Sequence, residues 1–178
     1  MNTKIKDKTY EGAFKVFKET HENSKKEFMV QIDSNGYVHA YNKGSSGSVS
    51  PYNNDPSRSE RGASVRKNAM LVHNHPVGGW DIFSDADLTV TAGIPNAKGI
   101  VATSYNGMTF TVTKGTHFKA EKFANAVNTA KLRGLDYNHA VDNWLTANQK
   151  RYGYKYTSQG YKNPSRTRKG SVSLDLPF

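Results

Sequence analysis

Ala69-Met-Leu-Val-His-Asn-His-Pro-Val-Gly-Gly-Trp-Asp-Ile-Phe-Ser-Asp-Ala-Asp-Leu88 is the stretch that decides how this chain is read. Met70 to Val72 are apolar and suited to a strand, and they run directly into His73 and His75. In an extended strand residues i and i+2 project to one face, so the two imidazoles converge. Pro76, Gly78 and Gly79 end the strand in a turn, and Ser84-Asp-Ala-Asp87 opens a helix. Two same-face histidines followed by a carboxylate predict a three-ligand site for a divalent cation, zinc above all, with one position left open. Ser84 and Asp87 fall on one face of the first helical turn. That pair also reads as a capping box, in which the hydroxyl and the acid satisfy each other's backbone amides. Beside a metal, the same hydroxyl can reach a developing oxyanion.

Composition narrows the choices. With 178 residues, 35% of them hydrophobic, the chain suits one domain, or one domain with an appendage. There is no cysteine, which rules out disulfides, thiolate zinc sites and cysteine nucleophiles and leaves histidine and carboxylate as metal ligands. No apolar run approaches the ~20 residues that cross a bilayer. The opening Met-Asn-Thr-Lys-Ile-Lys-Asp-Lys lacks an apolar segment behind its charges, so a cytoplasmic protein is expected.

Working outward from the central stretch, Thr9 to Thr20 predicts an amphipathic helix with Tyr10, Phe14 and Phe17 on one face. Glu27 to Asp33 and Tyr37 to Tyr41 predict a hairpin turning at Asn35-Gly36. Lys43 to Gly62, rich in Gly, Ser, Asn and Pro, reads as a long surface loop. Downstream, the helix from Ser84 to about Thr91 is closed by Gly93 and Pro95. Ala97 to Ser104 and Met108 to Thr113 form a second hairpin around Asn106-Gly107. Phe118 to about Arg133 and Asp136 to about Arg151 predict two further helices. Hairpins on either side of a helix make the class α+β.

His73-x-His75-Pro76 followed by Ser84-x-x-Asp87 resembles the signature of the JAB/MPN (JAMM) zinc metallopeptidase superfamily, and His-Asn-His-Pro in particular resembles its RadC-like and phage-encoded branches. The likeness covers roughly Lys26 to Thr113. It implies a cytidine-deaminase-like curved mixed sheet flanked by helices, with zinc at one sheet edge held by His73, His75 and Asp87. It implies that Ser84 supports the tetrahedral intermediate and that a glutamate on an early strand is the general base, most naturally Glu27, with Glu11, Glu19 and Glu22 nearby but off the strand. The implied activity is peptide or isopeptide hydrolysis on a protein or peptide-conjugate substrate, in a bacterial or phage-infected cell. The alternative it implies is a RadC-like nucleic-acid-associated or phage anti-defence protein. Eight residues separate His75 from Ser84, one more than the family pattern usually has, and Gly78-Gly79 can absorb the extra one. An HNH nuclease is a poorer match, because its residues are dispersed over a ββα unit.

The domain-level expectation is a metal-binding domain over 1–116, helices over 117–151 packed on it, and a flexible basic tail over 152–178. The formal charge is +10, and the end of the chain carries much of it. Arg151, Lys155, Lys162, Arg166, Arg168 and Lys169 face only Asp175 there, a pattern suited to tracking a phosphate backbone. The terminal Leu176-Pro177-Phe178 resembles the tip by which bacterial single-stranded DNA-binding proteins dock on partners. The other reading is that Leu174, Leu176 and Phe178 fold back on the core as a last strand.

Overall fold

A computed structural model describes residues 9–52, 65–130, 132 and 137–163. Ten elements follow in the order α1 (Tyr10–His21), β1 (Phe28–Ile32), β2 (Val38–Lys43), β3 (Ala69–His75), α2 (Asp85–Gly93), β4 (Ala97–Ser104), β5 (Thr109–Lys114), α3 (Ala120–Ala130), α4 (Tyr137–Tyr152) and β6 (Tyr154–Gln159). The six strands form one mixed sheet in the order β2-β1-β3-β4-β5-β6. Only β3 and β4 pair in parallel, as the α2 crossover between them requires; every other pairing is antiparallel. The class is α+β, and none of the helices is long and apolar enough to cross a membrane among the described residues.

The sheet is covered on both sides, which explains why every residue of β3 is buried. Met70 and Val72 join Val30, Ile32 and Val101 beneath Tyr10, Ala13 and Phe17 of α1. The alternate residues face the other way: Leu71 packs with Met29, Ile100 and Ala102 against Leu88 of α2, Phe123 of α3 and Leu145 of α4. His73 and His75 alternate with Leu71, so they belong to this second face. Thr9 caps α1 by accepting from the Gly12 amide at 3.1 Å. The expected β1–β2 turn is present, with Gly36 at φ +80°.

Two expectations change. The flexible tail does not begin at residue 152: Tyr152 ends α4, and Tyr154 to Gln159 complete the sheet beside β5. Tyr154 and Tyr156 turn inward while Lys155 stays out, and their hydroxyls are spent on the Leu145 carbonyl at 2.6 Å and Asp142 at 2.7 Å. A strand whose apolar mass sits in tyrosine rings looks polar by composition. Asn163 is buried as well, donating to Asp142 at 2.7 Å. Of the proposed tail cations, Arg151 lies in the last turn of α4, Lys155 on β6 and Lys162 just beyond it. Arg166, Arg168, Lys169 and the Leu176-Pro177-Phe178 tip lie outside the described residues, as do Gly134 and Asp136.

The helices expected over 117–151 do pack on the rest of the domain: the buried residues of α3 and α4 belong to the same core cluster as β3, β4 and α2. The second change concerns the histidines: they do not lie at a sheet edge. β3 is the third of six strands, and His73 and His75 end it where the chain leaves for α2. The carboxyl end of a strand followed by a parallel crossover is where open sheets form binding crevices.

Candidate metal centre

His73 and His75 are buried, at 0% and 7% exposure. Their Nε2 atoms lie 2.9 Å apart. Asp87 reaches both from the first turn of α2, with Oδ1 3.4 Å from His73 Nε2 and Oδ2 3.5 Å from His75 Nε2. Three ligand atoms, one from each residue, lie within 4.8 Å of one another, and no other such group of three occurs among the described residues. For zinc–ligand bonds of about 2.0–2.1 Å, neighbouring corners of a tetrahedron stand about 3.3 Å apart. Each histidine is near that distance from a carboxylate oxygen of Asp87, Oδ1 for His73 and Oδ2 for His75, and the donor set of two imidazoles and a carboxylate suits the ion. The chain matches no family model, no curated protein and no solved structure. What can be said of the site rests on its geometry.

Local sequence explains why Asp87 arrives where it does. Ser84 is the N-cap of α2; its hydroxyl accepts from the Asp87 amide at 3.1 Å, and its own amide donates to Asp87 Oδ2 at 2.7 Å. The capping box is formed, and it aims the carboxylate at the histidines. The Ser84 hydroxyl also donates to Asp87 Oδ2 at 2.8 Å. Both readings of Ser84-x-x-Asp87 thus meet in one arrangement: the cap is what orients the candidate ligand. The preceding loop is fastened by α4. Trp80 packs on Tyr137 with ring centroids 4.5 Å apart. The Tyr137 hydroxyl donates to the Phe83 carbonyl at 2.9 Å, and Asn138 donates to Asp81 at 2.9 Å. Gly78, at φ +91° with open space around it, takes a left-handed backbone conformation in this loop without strain.

Charge is balanced within the cluster. Burial opposes ionisation of Asp87, yet the charges and hydrogen bonds of His73 and His75 outweigh it and hold the carboxyl well below the ordinary range. The helix N-terminus also favours an anion there. Burial works against protonation of His75, but Asp87, then Glu27 and the Trp80 backbone, raise its pKa overall.

Glu27 lines the same cavity as His75, Ser84 and Asp87. Its carboxyl is raised, chiefly by burial and further by Asp87, against the opposing pull of His73 and His75. Glu11 and Glu19 ride on α1, which packs on the opposite side of the sheet, and Glu22 is that helix's C-cap. Of the four glutamates weighed, Glu27 alone shares the cavity.

Sequence reading overlooked Asn74. Between two residues that turn toward Asp87, it turns the other way, and its amide bridges to the chain on both sides of Glu27. The Phe28 amide donates to Asn74 Oδ1 at 2.7 Å, and Asn74 Nδ2 donates to the Lys26 carbonyl at 3.0 Å. The β1–β3 ladder ends at Met29 opposite His73, so this side chain stands in for the next backbone rung. On its other side Glu27 is held by β2's continuation, donating to the Ser45 carbonyl at 2.7 Å and accepting from Gly44 at 2.8 Å. Asn74→Ala should leave two peptide groups without partners, lowering stability by about 1–3 kcal/mol. Faster hydrogen exchange at the Phe28 amide is the expected reading. Unchanged exchange would show that Asn74 does not position this segment. The signal available in the sequence was a side-chain amide, able both to accept and to donate, set between two histidines on an apolar strand.

Proposed function

We propose that this chain is a zinc-dependent hydrolase that cleaves peptide or isopeptide bonds. One observation carries the reading: two buried histidines and Asp87, with one ligand atom from each within 4.8 Å of the others, share a cavity with a glutamate whose carboxyl is shifted toward neutrality. His73 and His75 would hold the ion through Nε2, and Asp87 through a carboxylate oxygen. Zinc at such a site supplies Lewis acidity, polarising a carbonyl and bringing the pKa of a bound water down to about 7. Glu27 accepts a proton from the attacking water at its carboxylate and returns it to the leaving nitrogen; a raised pKa suits both halves of that task. Ser84 keeps Asp87 aimed. An oxyanion role for its hydroxyl requires turning away from Asp87, at the cost of one charge-assisted hydrogen bond.

The test is direct. Purified protein reconstituted with zinc should hold one ion per chain by elemental analysis, and should cleave members of a panel of fluorogenic peptide and isopeptide conjugates. Failure to take up zinc at neutral pH would end this reading. Zinc uptake without cleavage of any conjugate would reduce it to a metal-binding scaffold.

A further inference from the structure

The cavity that Glu27 and Asp87 share continues past them, between the sheet and α2. Met29, Leu71, Ile82 and Ile100 line its inner part, and Val49 and Val90 stand among its other walls. Its volume is about 240 Å³, below the roughly 300–1,000 Å³ of pockets that enclose a cofactor or drug-sized molecule. It is sized for a side chain and the bond beside it.

Two features give this cavity a chemistry. One is charge. In a chain with a formal charge of +10, no lysine or arginine lines it among the described residues; the charged or titratable ones there are Glu27, His75 and Asp87. Sites that act on phosphoryl groups surround them with Arg, Lys or backbone clamps, and the described part of this lining carries no such side chain. The other is Thr91 on α2. It lines the cavity and is 4% exposed, and its hydroxyl has no hydrogen-bond partner among the described residues. Helical threonines ordinarily bond back to a carbonyl one turn earlier, as Thr89 does to Asp85 at 2.8 Å. A buried polar atom left unpaired calls for a partner supplied from outside.

We infer that this cavity is the substrate's specificity pocket, and that it takes a neutral, branched aliphatic group attached to an amide, with Thr91 bonding the amide and the aliphatic part filling the space over Leu71 and Ile100. The inference rests on the zinc-hydrolase reading for its placement beside the scissile bond. It predicts that a phosphodiester does not bind in the same cavity.

Two measurements on the full chain test it, and they separate the pocket from the metal. The first needs no metal. Isovaleramide should shift the methyl resonances of Val90, Thr91 and Ile100 saturably, whereas dimethyl phosphate should leave them in place. Thr91→Val should weaken isovaleramide by roughly 2- to 12-fold, the effect of one neutral hydrogen bond. The second uses zinc-loaded protein and hydroxamates as zinc-directed probes. Leucine hydroxamate should bind at least roughly tenfold tighter than glycine hydroxamate, and Val90→Trp, which narrows the cavity from a half-exposed position, should erase that ratio while zinc is retained. Equal binding of the two hydroxamates, or cavity shifts with dimethyl phosphate instead of isovaleramide, would overturn the inference. Shifts with isovaleramide in a protein that takes up no zinc would uphold the pocket and overturn only the hydrolase reading.

Discussion

Glu27→Gln is expected to keep one zinc per chain and the wild-type fold, yet lose hydrolysis by roughly 10²–10⁴-fold, the usual contribution of a positioned general base. The substitution is nearly isosteric and keeps both backbone bonds to Gly44 and Ser45, so it removes proton-accepting capacity and little else. Stability should rise slightly if anything, because a half-buried carboxyl whose ionisation burial disfavours gives way to a neutral amide. Glu27→Asp should fall between the two, since the carboxylate survives but sits one methylene further from the cluster. Glu11→Gln and Glu19→Gln on α1 serve as controls and should leave the rate unchanged. Elemental analysis alongside initial rates reads all four variants. A Glu27→Gln protein with the wild-type rate would show that the base lies elsewhere and remove the main support for the mechanism.

How much of this was legible beforehand depends on where each side chain's information lies. The two hairpins, β3 and α2 were readable because periodicity, Asn-Gly turns and a capping box are local signals. β4 falls at Ala97–Ser104, the span that its apolar run suggests. The pairing of the histidines with Asp87 was readable too, since strand alternation and one helical turn suffice to place all three.

What was not legible depends on chain segments far apart in sequence. β6 hides because its inward residues are tyrosines whose hydroxyls are satisfied by Asp142 and the Leu145 carbonyl, partners that only folding brings near. Asn74 looked like a spacer between two ligands. Its use depends on the β1–β3 ladder ending one step short of it. The role of α4 in bracing the loop before Ser84 depends on Tyr137 and Asn138 crossing to Phe83 and Asp81, more than fifty residues away. The site was thus visible as a list of candidate ligands, while the framework that aims them was not.

The second large effect is expected at Asp87. Asp87→Ala removes a ligand, so zinc affinity should fall by more than the 10- to 100-fold typical of groups that merely support ligands. It also removes the largest of the effects that raise the His75 pKa, leaving burial opposed only by Glu27 and the Trp80 backbone. In the metal-free protein a depressed carboxyl contributes stability above its unfolded pKa, which is lost as pH falls through its folded value. A raised histidine does the reverse, contributing below its ordinary pKa of about 6.5 and losing that contribution as pH rises through the folded one. The metal-free pair is therefore strongest in a mildly acidic window, with Asp87 ionised and His75 protonated. Zinc must displace that proton, so wild-type affinity should climb with pH until the raised His75 pKa is passed and then level off. In Asp87→Ala the climb should end at lower pH. Asp87→Asn separates the ligand from the cap: its amide oxygen can still accept from the Ser84 backbone, so α2 should keep most of the ~1 kcal/mol that a formed cap contributes, while zinc binding is lost. Calorimetric titration over roughly pH 5.5 to 8, paired with thermal melts of the metal-free variants, reads both effects. Wild-type zinc affinity in Asp87→Asn would mean that the carboxylate serves the helix and not the metal.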